Sequence, residues 1–236
     1  GSIYALIALG YTMVYGILGI INFAHGDILM VGALTTLSGM NALNAHFPNL
    51  PPLAQLGLAL LLAMAVCALL AMAIERFAYR RLRNAPRLAP LISAIGMSLI
   101  LQNYAQISQG PRQQGIPTLL SGVFRLEFDG GVVQITYTKV FILVASLLGM
   151  AILTYIIQRT RLGRICRATQ QDRKMASILG INTDRVISLV FVIGAAMAGL
   201  AGVLITMNYG TFDFYVGFII GIKAFTAAVL GGIGSL

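Results

Sequence analysis

Charged side chains are scarce in this sequence. Only 10% of its 236 residues are Asp, Glu, Lys or Arg, and just seven are acidic. Set against 58% hydrophobic residues and a mean hydropathy of +0.87, that poverty excludes a soluble domain, which carries about 25% charge. Cysteine is nearly absent too. Cys67 falls inside an apolar run and Cys166 in a basic loop, so the two cannot meet, and neither a disulfide nor a metal site is expected. No phosphate-cradling G-x-x-x-x-G-K-[ST] occurs; the closing GGIGSL, Gly231 to Leu236, has glycines but no Lys. No Ser/His/Asp set, paired carboxylate or metal-spaced cluster stands out, which leaves an enzyme without a catalytic constellation.

What is present is a series of long apolar runs. A spanning helix needs roughly 20 such residues, because the hydrocarbon core is about 30 Å thick and leaves no backbone group unpaired. Seven runs qualify: Ser2 to Ile21, Ile28 to Leu43, Leu53 to Ile74, Leu88 to Ile107, Val140 to Ile157, Val186 to Met207 and Phe218 to Leu236. The expected fold is all-α, a polytopic membrane bundle forming one transmembrane domain over residues 1–236. Barrel strands would be about half as long and would alternate. The chain opens without Met and stops within a Gly-rich apolar run, which reads as part of a longer protein. No cleavable signal peptide is visible, since Gly1 already lies in an apolar segment.

Orientation follows from the basic residues. Of sixteen Lys and Arg, twelve crowd two loops: Arg76, Arg80, Arg81, Arg83 and Arg87 in one, and Arg159, Arg161, Arg164, Arg167, Arg173, Lys174 and Arg185 in the other. The positive-inside bias makes both loops cytoplasmic, including 159–185, and puts the loop 109–138 outside. The net charge of +9 is thus a topology signal; no basic patch is interleaved with exposed aromatics, so no nucleic-acid partner is expected.

Three stretches carry chemistry. INFAHGD packs Asn22, His25, Gly26 and Asp27 between two apolar runs that together exceed one bilayer crossing, so the chain breaks or reverses near residues 22–27. Asp27 is placed to cap the second segment and Asn22 to satisfy carbonyls left by the first. Such a break at membrane depth also offers N–H groups to a carboxylate and acceptors to an ammonium, the two groups of an amino acid. Capping, lining a transport path and proton chemistry all remain open for these residues. In RATQQDRKMASILGINTDR, Met175, Ile178 and Leu179 recur at helical spacing, Gly180 suits a left-handed stop, and Asn182 or Thr183 can cap the next helix. A helix of about ten residues with an apolar stripe needs something to dock against. Headgroup lipid or the groove of a cytoplasmic partner fits equally. Gly194, Ala198 and Gly202 recur every four residues, giving a flat face for close helix contact, by packing within the chain first and otherwise at a subunit interface or pore lining. Val123 to Tyr137 alternates around Asp129-Gly130-Gly131, the pattern of a small β-hairpin.

GYTMVYGILGIINFAHGDILMVGA, LISAIGMSLILQNY and RATQQDRKMASILGINTDRVISLVFVIGAAMAGLAGVL together resemble the LivH-type permease subunits of the branched-chain amino-acid ABC importers, along essentially the whole chain. The resemblance implies a homologous second permease, two cytoplasmic ATPase subunits that use ATP and Mg, a periplasmic amino-acid-binding protein, and a bacterial inner-membrane location. It implies no cofactor in this chain. Such permeases share a cytoplasmic loop of Glu-Ala-Ala, three variable residues and Gly; here the matching positions are Lys174, Met175 and Ala176, then Gly180. That assigns Met175, Ala176, Ile178, Leu179 and Gly180 to ATPase coupling; Asn22, His25, Gly26 and Asp27 are the candidates for the substrate pathway, on the chemistry of the break alone. The hairpin then either contacts the binding protein or caps the external face. The competing class is a secondary transporter or channel for a small polar solute, which fits the spans equally well but leaves the Gly-terminated helix without a role.

Overall fold

In the computed structural model the described residues are 1–19, 21–83, 85–86, 88–110, 114–115, 122–128, 131–213 and 215–233. Each apolar run forms a helix. They are α1 (Ser2–Leu18), α2 (Ala24–His46), α3 (Pro52–Ile74), α4 (Leu88–Gln109) and α5 (Tyr137–Arg159). After the short α6 (Arg161–Gln171) and α7 (Arg173–Ile178) come α8 (Thr183–Tyr209) and α9 (Val216–Leu230). The seven expected spans need one refinement. Among the described residues, five helical spans are long and apolar enough to cross a bilayer, whereas α1 and α9 are apolar but shorter. α1 stops at Leu18 rather than continuing to Ile21 because Gly19 turns left-handed, with φ 64°.

α8 is the centre of the bundle, packed on α3, α2, α1 and α5. Its small-residue face explains how. A Cβ on Gly199 would fall 3.0 Å from the Ala63 carbonyl of α3, and one on Gly202 would fall 2.6 Å from the Leu29 carbonyl of α2. Side chains there would force the helices apart, so the Gly-rich run serves packing within the chain, as its spacing suggested. The same logic joins α9 to α2: a Cβ on Gly221 would sit 2.9 Å from the Gly26 Cα. Cys67 is buried in α3, where its thiol donates to the Ile28 carbonyl at 3.3 Å.

α3 does not end at Ile74. It winds on through one π-helical turn, Glu75–Tyr79, and a short 3-10 turn, Arg80–Leu82, and the wide turn leaves both Glu75 and Tyr79 buried. At the opposite end of the bundle, β2 (Val123–Phe128) and β3 (Gly131–Thr136) pair antiparallel, Val123 with Thr136 through Phe128 with Gly131. That is the expected hairpin; its turn residues Asp129 and Gly130 lie outside the described residues, as do Arg87 and the end of the GGIGSL stretch. Separately, β1 (Gln114–Gly115) pairs with β4 (Thr211–Phe212), tying the α4–α5 loop to the α8–α9 connection.

Candidate functional site

The chain between α1 and α2 is the first functional feature. α2 begins at Ala24 with Phe23 as its N-cap and no side-chain cap bond, so Asp27 does not cap it. The carboxylate lies within the first turn of the helix and looks sideways instead. Its Oδ1 accepts from Gln102 Nε2 of α4 at 3.1 Å, and the same Gln102 amide donates to Ser98 Oγ at 3.0 Å. Asn22 does not cap α1 either; its Oδ1 accepts from the Tyr79 hydroxyl at 2.7 Å. The reason is reach: the π-helical turn swings Tyr79 inward against the break, and the Gly19 stop leaves Asn22 pointing across the bundle rather than back along α1.

Asn22, His25 and Asp27 are all buried, and each keeps one atom without a partner: Asn22 Nδ2, His25 Nε2 and Asp27 Oδ2. Buried polar groups are nearly always satisfied, so three orphans on one six-residue stretch mark a place built to meet something else. Glycine makes the room. A Cβ on Gly10 would fall 2.6 Å from His25 Nε2, and the His25 ring packs edge-on against Tyr11, centroids 4.7 Å apart. Gly26 faces Gly217 and Gly221 of α9 directly. Gly194, beside His25, is eleven residues into the 27-residue α8, which places this cluster roughly 16 Å from the helix start, near mid-membrane depth.

The second feature lies at the arginine-rich end, and the sequence reading missed it. The Arg83 guanidinium bridges Glu75 and Asp184, while Arg80 pairs with Asp184 at 2.8 Å. Glu75 also accepts from the Ser188 hydroxyl at 2.7 Å. These bonds lock the end of α3 to the start of α8. The signal was the shortage of acids: Asp27 and Glu75 are the carboxylates that interrupt apolar runs, and each is buried.

The third feature is α7. It has six residues, shorter than the ten expected, because Asp172 starts a fresh helix after α6 by accepting from Met175 N at 3.0 Å. Its end is as expected. Gly180 has φ 84°, and the bonds Gly180 N to Ser177 O and Ile181 N to Ala176 O form a Schellman motif. Asn182 then caps α8, accepting from Arg185 N at 3.1 Å. Met175, Ile178 and Leu179 are exposed at 53%, 78% and 73%, whereas Ala176 is buried, so Ala176 seats α7 on its own chain and the other three project outward. Arg173, at its start, donates to the Ile17 carbonyl in the last turn of α1 at 3.2 Å. Cys166 in α6 is buried as well, and burial pushes its thiol pKa up. Among the described residues no group of three or more His, Cys, Asp or Glu is placed to hold a metal.

Comparison with known proteins identifies the family. The family model described as branched-chain amino acid transport system / permease component matches residues 1–236. The chain is 51% identical over 238 residues to the high-affinity branched-chain amino acid transport system permease protein BraD of Pseudomonas aeruginosa, covering 100% of this chain and 77% of that protein. It is 48% identical over 237 residues to LivH of Escherichia coli K12, with the same coverage. To LivM of that organism, a second permease protein of the high-affinity system by its name, it is 31% identical over 259 residues, covering 99% of this chain and 57% of LivM. No solved structure matches significantly.

Proposed function

Because this chain belongs to the family of branched-chain amino acid transport system permease components, we propose that it is the membrane-embedded subunit of an ATP-driven importer for branched-chain or related amino acids. It is a multi-pass membrane permease rather than an enzyme. In this reading it pairs with a homologous second permease, two ATPase subunits dock on the arginine-rich face and use ATP with Mg, and a periplasmic amino-acid-binding protein delivers substrate from the opposite face. The membrane is the bacterial inner membrane, with the arginine-rich loops in the cytoplasm.

The observation that carries the path assignment is the trio of unpartnered polar atoms at mid-membrane depth. A donor amide and an acceptor carboxylate, left open within five residues of each other, complement the carboxylate and ammonium of an amino acid. Exposed Met175, Ile178 and Leu179 on a helix with a rigid Gly180 stop supply an apolar knob for an ATPase groove. Because Arg173 of that helix holds the end of α1, displacement of α7 pulls on the break that carries Asn22 and Asp27. The test is reconstitution with the second permease, ATPases and binding protein in proteoliposomes. ATP-dependent leucine, isoleucine or valine uptake is expected; uptake driven by a proton gradient without nucleotide would overturn the reading.

A further inference from the structure

The arginine-rich end holds a space that the cluster around Asp27 does not use. A cavity of about 400 Å³ is lined by Tyr15, Leu18, Tyr79, Arg83, Pro90 and Arg173, among others, a size within the roughly 300–1,000 Å³ of small-molecule sites. Two observations make it a built site. The Arg83 side chain is only 9% exposed, and while its terminal nitrogens serve Glu75 and Asp184, its Nε has no partner. Charge is also left over. Arg80, Arg83 and Arg173 face Glu75 and Asp184, and the bond that Arg173 makes is to the neutral Ile17 carbonyl. Its chain neighbours Asp172 and Lys174 are exposed to water. One positive charge therefore remains uncompensated beside a half-apolar wall.

We propose that this cavity is an exit subsite that holds an aliphatic amino acid by its α-carboxylate, with Arg173 as the anchoring cation. The proposal rests on the transport reading above. A single residual charge matches a carboxylate better than a doubly charged phosphate, and the planar guanidinium suits it geometrically. Leu18 and Pro90 supply the apolar wall for the side chain. The Tyr79 oxygen, whose proton goes to Asn22, keeps lone pairs for the ammonium. Burial and the nearby Arg83 lower the Arg173 pKa from its ordinary value, and Asp184 opposes them with a smaller effect. Occupancy would compete with the Arg173 bond to Ile17, so a departing solute would loosen the link between α7 and α1.

The test is equilibrium binding of radiolabelled leucine to the full chain in neutral-lipid nanodiscs. Isocaproate, which lacks the amine, is expected to compete; leucinamide, which lacks the carboxylate, is not. Arg173→Gln should weaken binding about tenfold or more, Arg173→Lys less, and Arg164→Gln, on the exposed face of α6, not at all. Absence of saturable binding, equal competition by leucinamide, or wild-type binding by Arg173→Gln would overturn the subsite. Displacement of leucine by anionic lipid would overturn it too, assigning the cavity to headgroups. The competitor pattern is measured on the unaltered chain, so a variant that fails to fold does not obscure it. Uptake by the reconstituted system separates the two readings: uptake with the wrong competitor pattern removes the subsite alone, whereas no uptake of any aliphatic amino acid removes the transport reading.

Discussion

The Tyr79 hydroxyl donates a 2.7 Å hydrogen bond to Oδ1 of Asn22, joining the wound-out end of α3 to the break between α1 and α2. Both residues are buried, and the Asn22 amide nitrogen has no partner. Tyr79→Phe leaves Asn22 with nothing on either end and should destabilise the protein by about 1–3 kcal/mol. Asn22→Leu made together with Tyr79→Phe should cost less than Tyr79→Phe alone, since no polar group is then stranded. Melting temperatures in detergent for the two singles and the double close the cycle; strict additivity would show that the pair does not interact.

The ion-pair cluster should respond unevenly. Glu75 is buried and the Arg83 side chain is 9% exposed, whereas Asp184 and Arg80 are 46% and 42% exposed. Glu75→Leu leaves the Arg83 guanidinium with the half-exposed Asp184 alone and should cost about 1–3 kcal/mol. Arg80→Gln removes only a solvated pair and should cost about 0–1 kcal/mol. The yield of folded protein and thermal stability of the two variants give the comparison; equal losses would mean that Asp184 alone satisfies Arg83.

Asp27 offers a sharper contrast than a capping residue would. Since no cap is lost, Asp27→Asn and Asp27→Ala should both assemble, and Asn keeps an acceptor for Gln102. Uptake should fall at least about tenfold in both if the free oxygen meets substrate. Normal uptake by Asp27→Ala would return the residue to packing alone.

Lys223 lies in α9, exposed on the surface of the chain and without an ion-pair partner among the described residues. A lysine on a membrane helix does not face hydrocarbon. A cysteine at position 223 should therefore react with a polar, water-soluble thiol reagent. Native Cys67 and Cys166 should stay silent, both being buried and Cys166 having its thiol pKa raised by burial. Cysteines at Asn49 and Arg81, at opposite ends of α3, should label from opposite sides of the membrane, Arg81 from the cytoplasm.

At Gly180, Asn should be tolerated and Val should not, because φ is 84° and a β-branched residue resists that region. Met175→Asp should leave the permease folded, since the side chain is exposed, yet reduce ATPase co-purification and substrate-stimulated hydrolysis at least about fivefold. Unchanged coupling in Met175→Asp would make α7 a headgroup-bound linker.

The parts of the fold that composition and spacing made legible are those set by local chemistry. Apolar runs marked the helices, Gly180 and Asn182 marked their stops and starts, and alternation marked the hairpin. What stayed hidden depends on distance along the chain. Glu75 and Asp184 are 109 positions apart, and nothing in either neighbourhood says that Arg83 will join them. The mistaken cap at Asp27 has the same origin. A carboxylate near a helix start satisfies a local rule, but Gln102, 75 positions later, claims the oxygen once α4 packs against α2.

The glycine contacts between α8 and α2, and between α2 and α9, bring one more consequence. Where main chain rests on main chain, neither helix offers a side chain that can yield. Lengthwise movement of α2 would also break the bonds from Gln102 to Asp27 and from Cys67 to the Ile28 carbonyl, so the depth of the helix is held as firmly as its distance from its neighbours. A helix seated in this way is a keystone: a single methyl group at Gly202 or Gly26 would push two helices apart and carry the polar cluster with them.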